Sequence, residues 1–199
     1  MQSATNSNLP HRHNRVLQKF GKFMLNLLGW RFDGRLPDIS KQVIIVAPHT
    51  SNWDFMIGIL AVFALDIKAH WIGKHTIFTP PFHLLMEWLG GIPVNRKLPN
   101  DLVNATTKRF EQEDKFIIGL APEGTRSRVS KWKQGFYRIA SNAQVPFVCA
   151  SLDYRTRTIG FGLPITPSGD FDKDFINVSE FYAEVTAKFP EKFNLPETD

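Results

Sequence analysis

Short apolar runs alternate along this chain with longer segments in which apolar residues recur every three or four positions. The short runs are typical of buried strands, and they lie at 43–47, 69–73, 90–96, 116–120, 145–150 and 158–162. The longer segments predict helices at 15–30, 53–63, 101–113, 135–142 and 178–189. Because strands and helices alternate, we expect an α/β fold with a layered, mostly parallel sheet flanked by helices, preceded by an N-terminal amphipathic helix.

Two segments have apolar faces whose role the pattern leaves open. The predicted helix at 15–30 carries basic residues between its apolar positions, namely Arg15, Lys19 and Lys22. Such a helix can lie in the interface of an anionic membrane, or it can pack on its own domain. We therefore divide the chain into 1–34, a basic segment that is a candidate for membrane association, and 35–199, the main domain. The aromatic segment 77–89 is predicted to line an apolar ligand site, to contact lipid or to form ordinary core.

His49 and Asp54 follow the predicted strand at 43–47, directly before the predicted helix at 53–63. In a continuous helix, side chains five residues apart point about 140° away from each other. A hydrogen bond between these two side chains therefore requires a non-helical turn, and the stretch 48–52 predicts one, with Ser51 or Asn52 as the helix N-cap. An Asp that accepts a proton from one ring nitrogen leaves the other nitrogen available as a base.

A second polar turn, 121–127, follows the predicted strand at 116–120. In open α/β sheets, ligands bind outside the carboxyl ends of the strands, so this turn and the His49 turn are expected at the same edge. Gly124 permits a close backbone approach to a ligand, and the guanidinium of Arg126 suits a phosphate. The run at 90–96 ends in another candidate of this kind, Arg96.

The order of these motifs resembles that of the glycerolipid acyltransferases, the family that includes 1-acylglycerol-3-phosphate acyltransferases. A His-x4-Asp box, a Gly-x4-Arg box, a Glu-Gly-Thr-Arg box and a Val-Pro strand appear in the family's order at 49–54, 91–96, 123–126 and 145–146. Ala121, Asn95 and Cys149 depart from the residues that are common in these motifs, where Phe, Asp and Pro are usual. None of these departures removes a catalytic group, but they leave the identity of the acceptor open.

The resemblance implies the reaction and the roles of the residues. His49 would act as a general base and Asp54 would orient it, without a covalent acyl-enzyme. The implied acceptor site contains Arg96, Glu123, Gly124, Thr125 and Arg126. The acyl donor would be an acyl-CoA or acyl carrier protein thioester, with no further cofactor, and the first acceptor to consider is 1-acylglycerol 3-phosphate. Backbone N–H groups near the start of the 53–63 helix would stabilise the oxyanion.

Composition limits the partners. A net charge of +5 favours an anionic membrane surface or a phosphorylated substrate, and no nucleic-acid-binding motif is present. The six histidines lack metal-ligand spacing, so no metal is implied. The single cysteine, Cys149, excludes an intramolecular disulfide and is expected to be buried. Because the most apolar run, 55–65, is too short to cross a bilayer and 1–10 lacks a secretory signal, we expect a cytoplasmic protein on the inner face of the membrane.

Alternatives from other classes stay open. In a hydrolase, His49 and Asp54 would activate Ser51, although no Gly-x-Ser-x-Gly elbow is present. In a non-catalytic lipid-binding protein, the fold would bind lipid without turnover. Among acyltransferases, the acceptor could instead be another lysophospholipid, glycerol 3-phosphate or an amino-acid lyso-lipid.

Overall fold

The computed structural model describes residues 7–94 and 99–196, which contain one seven-stranded sheet. Its strands are β1 (Arg31–Asp33), β2 (Lys41–Ala47), β3 (Ala69–Lys74), β4 (Gly91–Val94), β5 (Phe116–Leu120), β6 (Phe147–Asp153) and β7 (Thr158–Ile165), in the order β1-β7-β6-β2-β5-β3-β4. The five strands from β6 to β4 are parallel. Strand β7 pairs antiparallel with β6 and parallel with β1, so the predicted mostly parallel sheet is confirmed.

Helices cover both faces of the sheet. They are α1 (Arg15–Leu27), α2 (Asn52–Ala64), α3 (His83–Trp88), α4 (Pro99–Gln112), α5 (Gly135–Ala143) and α6 (Phe171–Tyr182), with 3₁₀ turns at His75–Ile77 and Pro190–Lys192. Alternate residues of β2 face opposite sides, since Val43 and Ile45 pack in the core with α4, α5 and α6, and Ile44 lies on the α2 side. Within the described residues, no helix is both long enough and apolar enough to cross a bilayer.

Helix α1 has one packed side and one exposed apolar side. Gly21 and Leu25 are buried, and a Cβ at Gly21 would lie only 2.6 Å from the backbone nitrogen of Ala64 in α2. The exposed side carries Val16, Phe20, Phe23 and Leu27. Helix α1 thus has a buried side, as expected of a helix that packs on its own domain, and an exposed apolar side, as expected of a helix in a membrane interface. The division of the chain at residue 34 stays a prediction.

Two predicted helices have wrong boundaries. The C-terminal helix is α6, which begins seven residues earlier than the predicted 178–189 because the side chain of Asp170 caps it, accepting from the Lys173 N–H at 3.1 Å. It ends at Tyr182, whose hydroxyl donates to the Ile45 carbonyl at 2.8 Å. Helix α1 ends at Leu27 rather than at residue 30, because Gly29 adopts a left-handed conformation with φ +75°.

Two glycines in helix interiors predict opposite effects of adding a methyl group. Alanine is favoured over glycine in a helix by about 1 kcal/mol. At Gly58 of α2 nothing lies within 4 Å of an added Cβ, so we expect Gly58→Ala to raise the free energy of unfolding by about this amount. At Gly21 the added Cβ overlaps α2, so we expect Gly21→Ala to lower it by about 1–3 kcal/mol. Urea unfolding of both variants measures the difference, and equal stabilisation would contradict the close contact of α1 with α2.

Candidate active site

The turn between β2 and α2 places His49 and Asp54 side by side. Helix α2 begins at Asn52, and the hydroxyl of its N-cap Ser51 accepts from the Trp53 N–H at 3.1 Å. This confirms the predicted non-helical turn, and Ser51 is the one of the two predicted N-cap candidates, Ser51 and Asn52, that caps the helix. His49 Nδ1 lies 3.5 Å from Asp54 Oδ2. Hydrogen bonds in catalytic sites are commonly this long before a substrate binds.

Asp54 is a buried carboxylate with several donors. Its Oδ2 accepts from the N–H groups of Thr50 and Ser51, each at 2.7 Å, and its Oδ1 accepts from the hydroxyl of Tyr154 at 2.7 Å. Burial raises the pKa of Asp54, but hydrogen bonds from His49, Tyr154 and the Ser51 N–H outweigh it and lower the pKa below its ordinary value. Asp54 therefore stays ionised beside the imidazole at neutral pH.

Glu123 lies beside the same turn because β5 is the neighbour of β2. It is 5% exposed, and its Oε1 accepts from the backbone N–H of His49 at 2.8 Å. Its Oε2 has no hydrogen-bond partner among the described residues. Burial is the main cause that raises the pKa of Glu123 to about 7. The described contacts thus connect Glu123 to the position of His49, and its predicted place in the acceptor site stays a prediction.

Three more predicted acceptor residues follow Glu123 in one turn, in which Gly124 and Thr125 are half-buried. Gly124 has φ +65°, a left-handed conformation that favours glycine. Thr125 Oγ1 accepts from the Ser127 N–H at 3.4 Å. Arg126 is exposed, and no hydrogen bond or ion pair holds its guanidinium to another described residue. Arg96 lies outside the described residues.

An apolar cavity of about 470 Å³ lies between α2 and the sheet. His49, Asp54 and Arg126 line it at the edge where the parallel strands end. Its apolar lining includes Phe55, Gly58, Ile59 and Val62 of α2 and Ile44, Ala69, Trp71, Gly119 and Ala150 of the sheet. The lining residues follow α2 over its whole length, which is about 20 Å at the helical rise. The cavity is thus long and apolar, with polar groups at one end.

The aromatic segment 77–89 has both cavity-lining and exposed residues, and its role toward lipid stays a prediction. Ile77 and Met86 line the cavity. Phe82 and Trp88 are exposed on and beside α3. Phe78 stacks on Trp71 with ring centroids 5.8 Å apart, so this segment forms both a wall of the cavity and an exposed apolar surface.

The structure revises two details of the predicted chemistry. The N–H groups of Thr50, Ser51 and Trp53 already donate to Asp54 or to the Ser51 hydroxyl, so these three are not available to an oxyanion. Tyr154 contacts Asp54 from 100 residues away, and the sequence analysis did not identify it. The sequence feature that could have identified Tyr154 is its position directly after β6, because β6 is the other neighbour of β2 in the sheet.

The raised pKa of Glu123 predicts a pH-dependent cost to stability. Between the ordinary value of 4.5 and about 7, the unfolded state releases this proton first, so stability falls as the pH rises. Glutamine at position 123 cannot ionise. We therefore expect the free energy of unfolding of Glu123→Gln, relative to that of the wild type, to increase by roughly 2–3 kcal/mol between pH 4.5 and pH 8. Urea unfolding at both pH values measures this gain. Glu111→Gln, an exposed site on α4, is the control, and an equal gain there would contradict the burial argument.

Comparisons with known proteins identify the family of this chain. The sequence profile of the acyltransferase family matches residues 21–153, which include both polar turns. Among solved structures, the 1-acyl-sn-glycerophosphate (LPA) acyltransferase PlsC from Thermotoga maritima is similar, with a TM-score of 0.59 and 18% sequence identity over 87% of this chain and 81% of that chain. A search of curated protein sequences gave no significant match. The family match covers well over half of the sequence, and this chain belongs to the acyltransferase family.

Proposed function

We propose that this protein transfers a fatty acyl group from an acyl-CoA or acyl carrier protein thioester to a hydroxyl of a lyso-glycerolipid, with 1-acylglycerol 3-phosphate as the first acceptor to test. One observation carries the proposal: the His49–Asp54 pair lies at the polar end of a long apolar cavity. A cavity with such a lining suits a fatty acyl chain, and a base at its end suits a reaction at the chain's carbonyl. The structural similarity to PlsC supports the fold. The choice of acceptor rests on the sequence motifs that resemble those of the glycerolipid acyltransferases.

The reaction follows from the positions of the groups. With Nδ1 facing Asp54, His49 Nε2 removes the proton from the acceptor hydroxyl as its oxygen attacks the thioester carbonyl. The tetrahedral intermediate then collapses, the C–S bond breaks, and the thiolate takes the proton from His49. Asp54 stabilises the imidazolium while it carries that proton. The new ester and the free thiol leave, and no covalent acyl-enzyme forms.

The predicted acceptor site supplies a cation for the phosphate of a lyso-lipid. Arg126 is exposed at the cavity lining and can reach a ligand there with its planar fork. Gly124 and Thr125 belong to the same turn, and Arg96 is the second candidate cation. In this arrangement the phosphate of the acceptor lies outside the cavity, and the acyl chain of the donor lies inside it. The thioester carbonyl of the donor is then beside His49.

Acyl transfer to a panel of lyso-lipids tests the function. We expect labelled palmitoyl-CoA or palmitoyl carrier protein to acylate 1-acylglycerol 3-phosphate, and His49→Ala to lower the rate by roughly 10²–10⁴-fold because the general base is lost. Other lysophospholipids, glycerol 3-phosphate and amino-acid lyso-lipids serve as competing acceptors. His75→Ala, at an exposed histidine outside the lining, is the matched control.

Each outcome of this experiment assigns a function. Transfer to a different acceptor would keep the proposed mechanism and assign that lipid as the acceptor. If no acceptor is used while labelled lipid still binds equally to wild type and His49→Ala, the lipid-binding alternative replaces the proposal. Hydrolysis of the thioester without transfer would favour the hydrolase alternative, although the Ser51 hydroxyl is engaged as the cap of α2.

The second part of the proposal is that α1 holds the protein on an anionic membrane, at the cytoplasmic inner face. The exposed apolar side of α1 adjoins exposed Arg15, Lys19 and Lys22, which suits a surface with negative lipids. A lyso-lipid acceptor resides in such a surface, so this location brings the cavity to its substrate.

Vesicle flotation tests the membrane contact. We expect the wild-type protein to float with vesicles that contain phosphatidylglycerol, and Phe23→Glu to lower the bound fraction at least roughly tenfold, because an apolar contact is replaced by a like charge. Leu163→Glu changes an exposed apolar side chain outside α1 and is the control. Equal loss in both variants, or none in Phe23→Glu, would contradict the role of α1.

A further inference from the structure

Three neighbouring strands deliver the groups around His49. Strand β2 leads into the turn with His49 and Asp54, β5 on one side leads to Glu123, and β6 on the other side leads to Tyr154. The predicted motifs account for the first two strands. Tyr154 lies outside all of them and one residue beyond the segment matched by the family profile.

The contact of Tyr154 with Asp54 is short and specific. The Tyr154 hydroxyl donates to Asp54 Oδ1 at 2.7 Å, while the other oxygen, Oδ2, faces His49 Nδ1 and accepts from two backbone N–H groups. The two oxygens of Asp54 thus have separate partners. Asp54 is buried, and the Tyr154 hydroxyl is the one side-chain donor to its Oδ1 among the described residues. Removing this hydroxyl would leave Oδ1 without that hydrogen bond in a buried position.

The ring of Tyr154 is itself fixed by packing. It meets Trp30 edge to face with centroids 4.9 Å apart, and Lys188 Nζ lies 5.3 Å from its centroid. Tyr154 also donates its backbone N–H to the Thr186 carbonyl at 2.9 Å. The hydroxyl therefore reaches Asp54 from a rigid position, which is a requirement for a residue that orients another.

We propose that Tyr154 is a positioning residue for the acyl transfer: its hydroxyl holds the Asp54 carboxylate so that Oδ2 faces His49. The inference rests on the proposed function for its effect on rate. Tyr154 is not part of the described lining of the cavity, so it acts on the imidazole through Asp54 and not on either substrate. Its removal is expected to lower kcat while leaving KM for both substrates unchanged.

Tyr154→Phe tests this inference, because it removes the hydroxyl and keeps the ring against Trp30. We expect kcat to fall roughly tenfold, the size of effect typical of one hydrogen bond to a charged group. Tyr137→Phe is the matched control, since the Tyr137 hydroxyl donates to the buried carboxylate of Asp174 at 2.8 Å, between α5 and α6. The control should lose stability as Tyr154→Phe does but keep the wild-type kcat.

A second readout does not depend on turnover. In an NMR titration of the His49 ring, we expect Tyr154→Phe to move the midpoint to higher pH, because Asp54 with one donor fewer attracts the imidazolium more strongly. The other charged groups of the site, Glu123 after β5, Arg126 on the cavity lining and Lys188 over the Tyr154 ring, are the same in both proteins. Tyr137→Phe should leave the midpoint unchanged.

The dependence on Asp54 can be tested with Asp54→Asn as the background. If Tyr154 acts through the carboxylate, adding Tyr154→Phe to Asp54→Asn should move neither the residual rate nor the His49 titration further. The inference is overturned if Tyr154→Phe leaves both kcat and the titration as in the wild type, or if it changes them equally in both backgrounds. A wild-type protein without acyl transfer would overturn the proposed function instead, and the titration would still decide the role of Tyr154.

Discussion

The site depends on one buried charge, the carboxylate of Asp54. A carboxylate taken out of water is stable only when donors replace its hydration. Two of these donors are backbone N–H groups of the turn before α2, and a third is a hydroxyl at the end of β6. The turn, the helix start and the sheet edge must therefore meet at this one group, and the position of His49 beside it is a consequence of the same geometry.

The two faces of the sheet are packed differently, and only the side of α2 carries the cavity described above. On the side of α4, α5 and α6, large aromatic side chains such as Phe116, Phe136 and Phe147 are buried in the core. On the side of α2, small residues such as Gly58 and Ala69 line the cavity. Glycine in a helix interior costs stability, so Gly58 is better explained by the space it leaves than by the helix it belongs to. The aromatic face forms a packed core, while the face beside α2 keeps the cavity in which we propose that the acyl chain lies.

Local signals predicted most of the fold and the turn that brings His49 and Asp54 together. The apolar runs identified the parallel strands, and the cap candidates Ser51 and Asn52 located the start of α2, because both effects act over a few residues. The start of α6 was missed although its Asp170 cap is as local as the cap of α2. The end of α6 depends on distant partners, because Tyr182 bonds to carbonyls of β2 and β6. Tyr154 was missed because its contact is also distant in sequence. Its partner is 100 residues away, and no short motif encodes a contact between the ends of two strands.

The two acids beside His49 differ in charge because they differ in donors. Asp54 accepts from Thr50, Ser51, Tyr154 and the His49 ring, which outweigh burial and lower its pKa. Glu123 is similarly buried, and burial, together with the charge of Asp54, raises its pKa to about 7. Its Oε2 has no hydrogen-bond partner among the described residues. In the proposed mechanism the charge of Asp54 orients the imidazole, while Oε1 of Glu123 accepts a hydrogen bond from the backbone N–H of His49. The site thus separates two tasks, charge and position, between two carboxyl groups that contact the same residue.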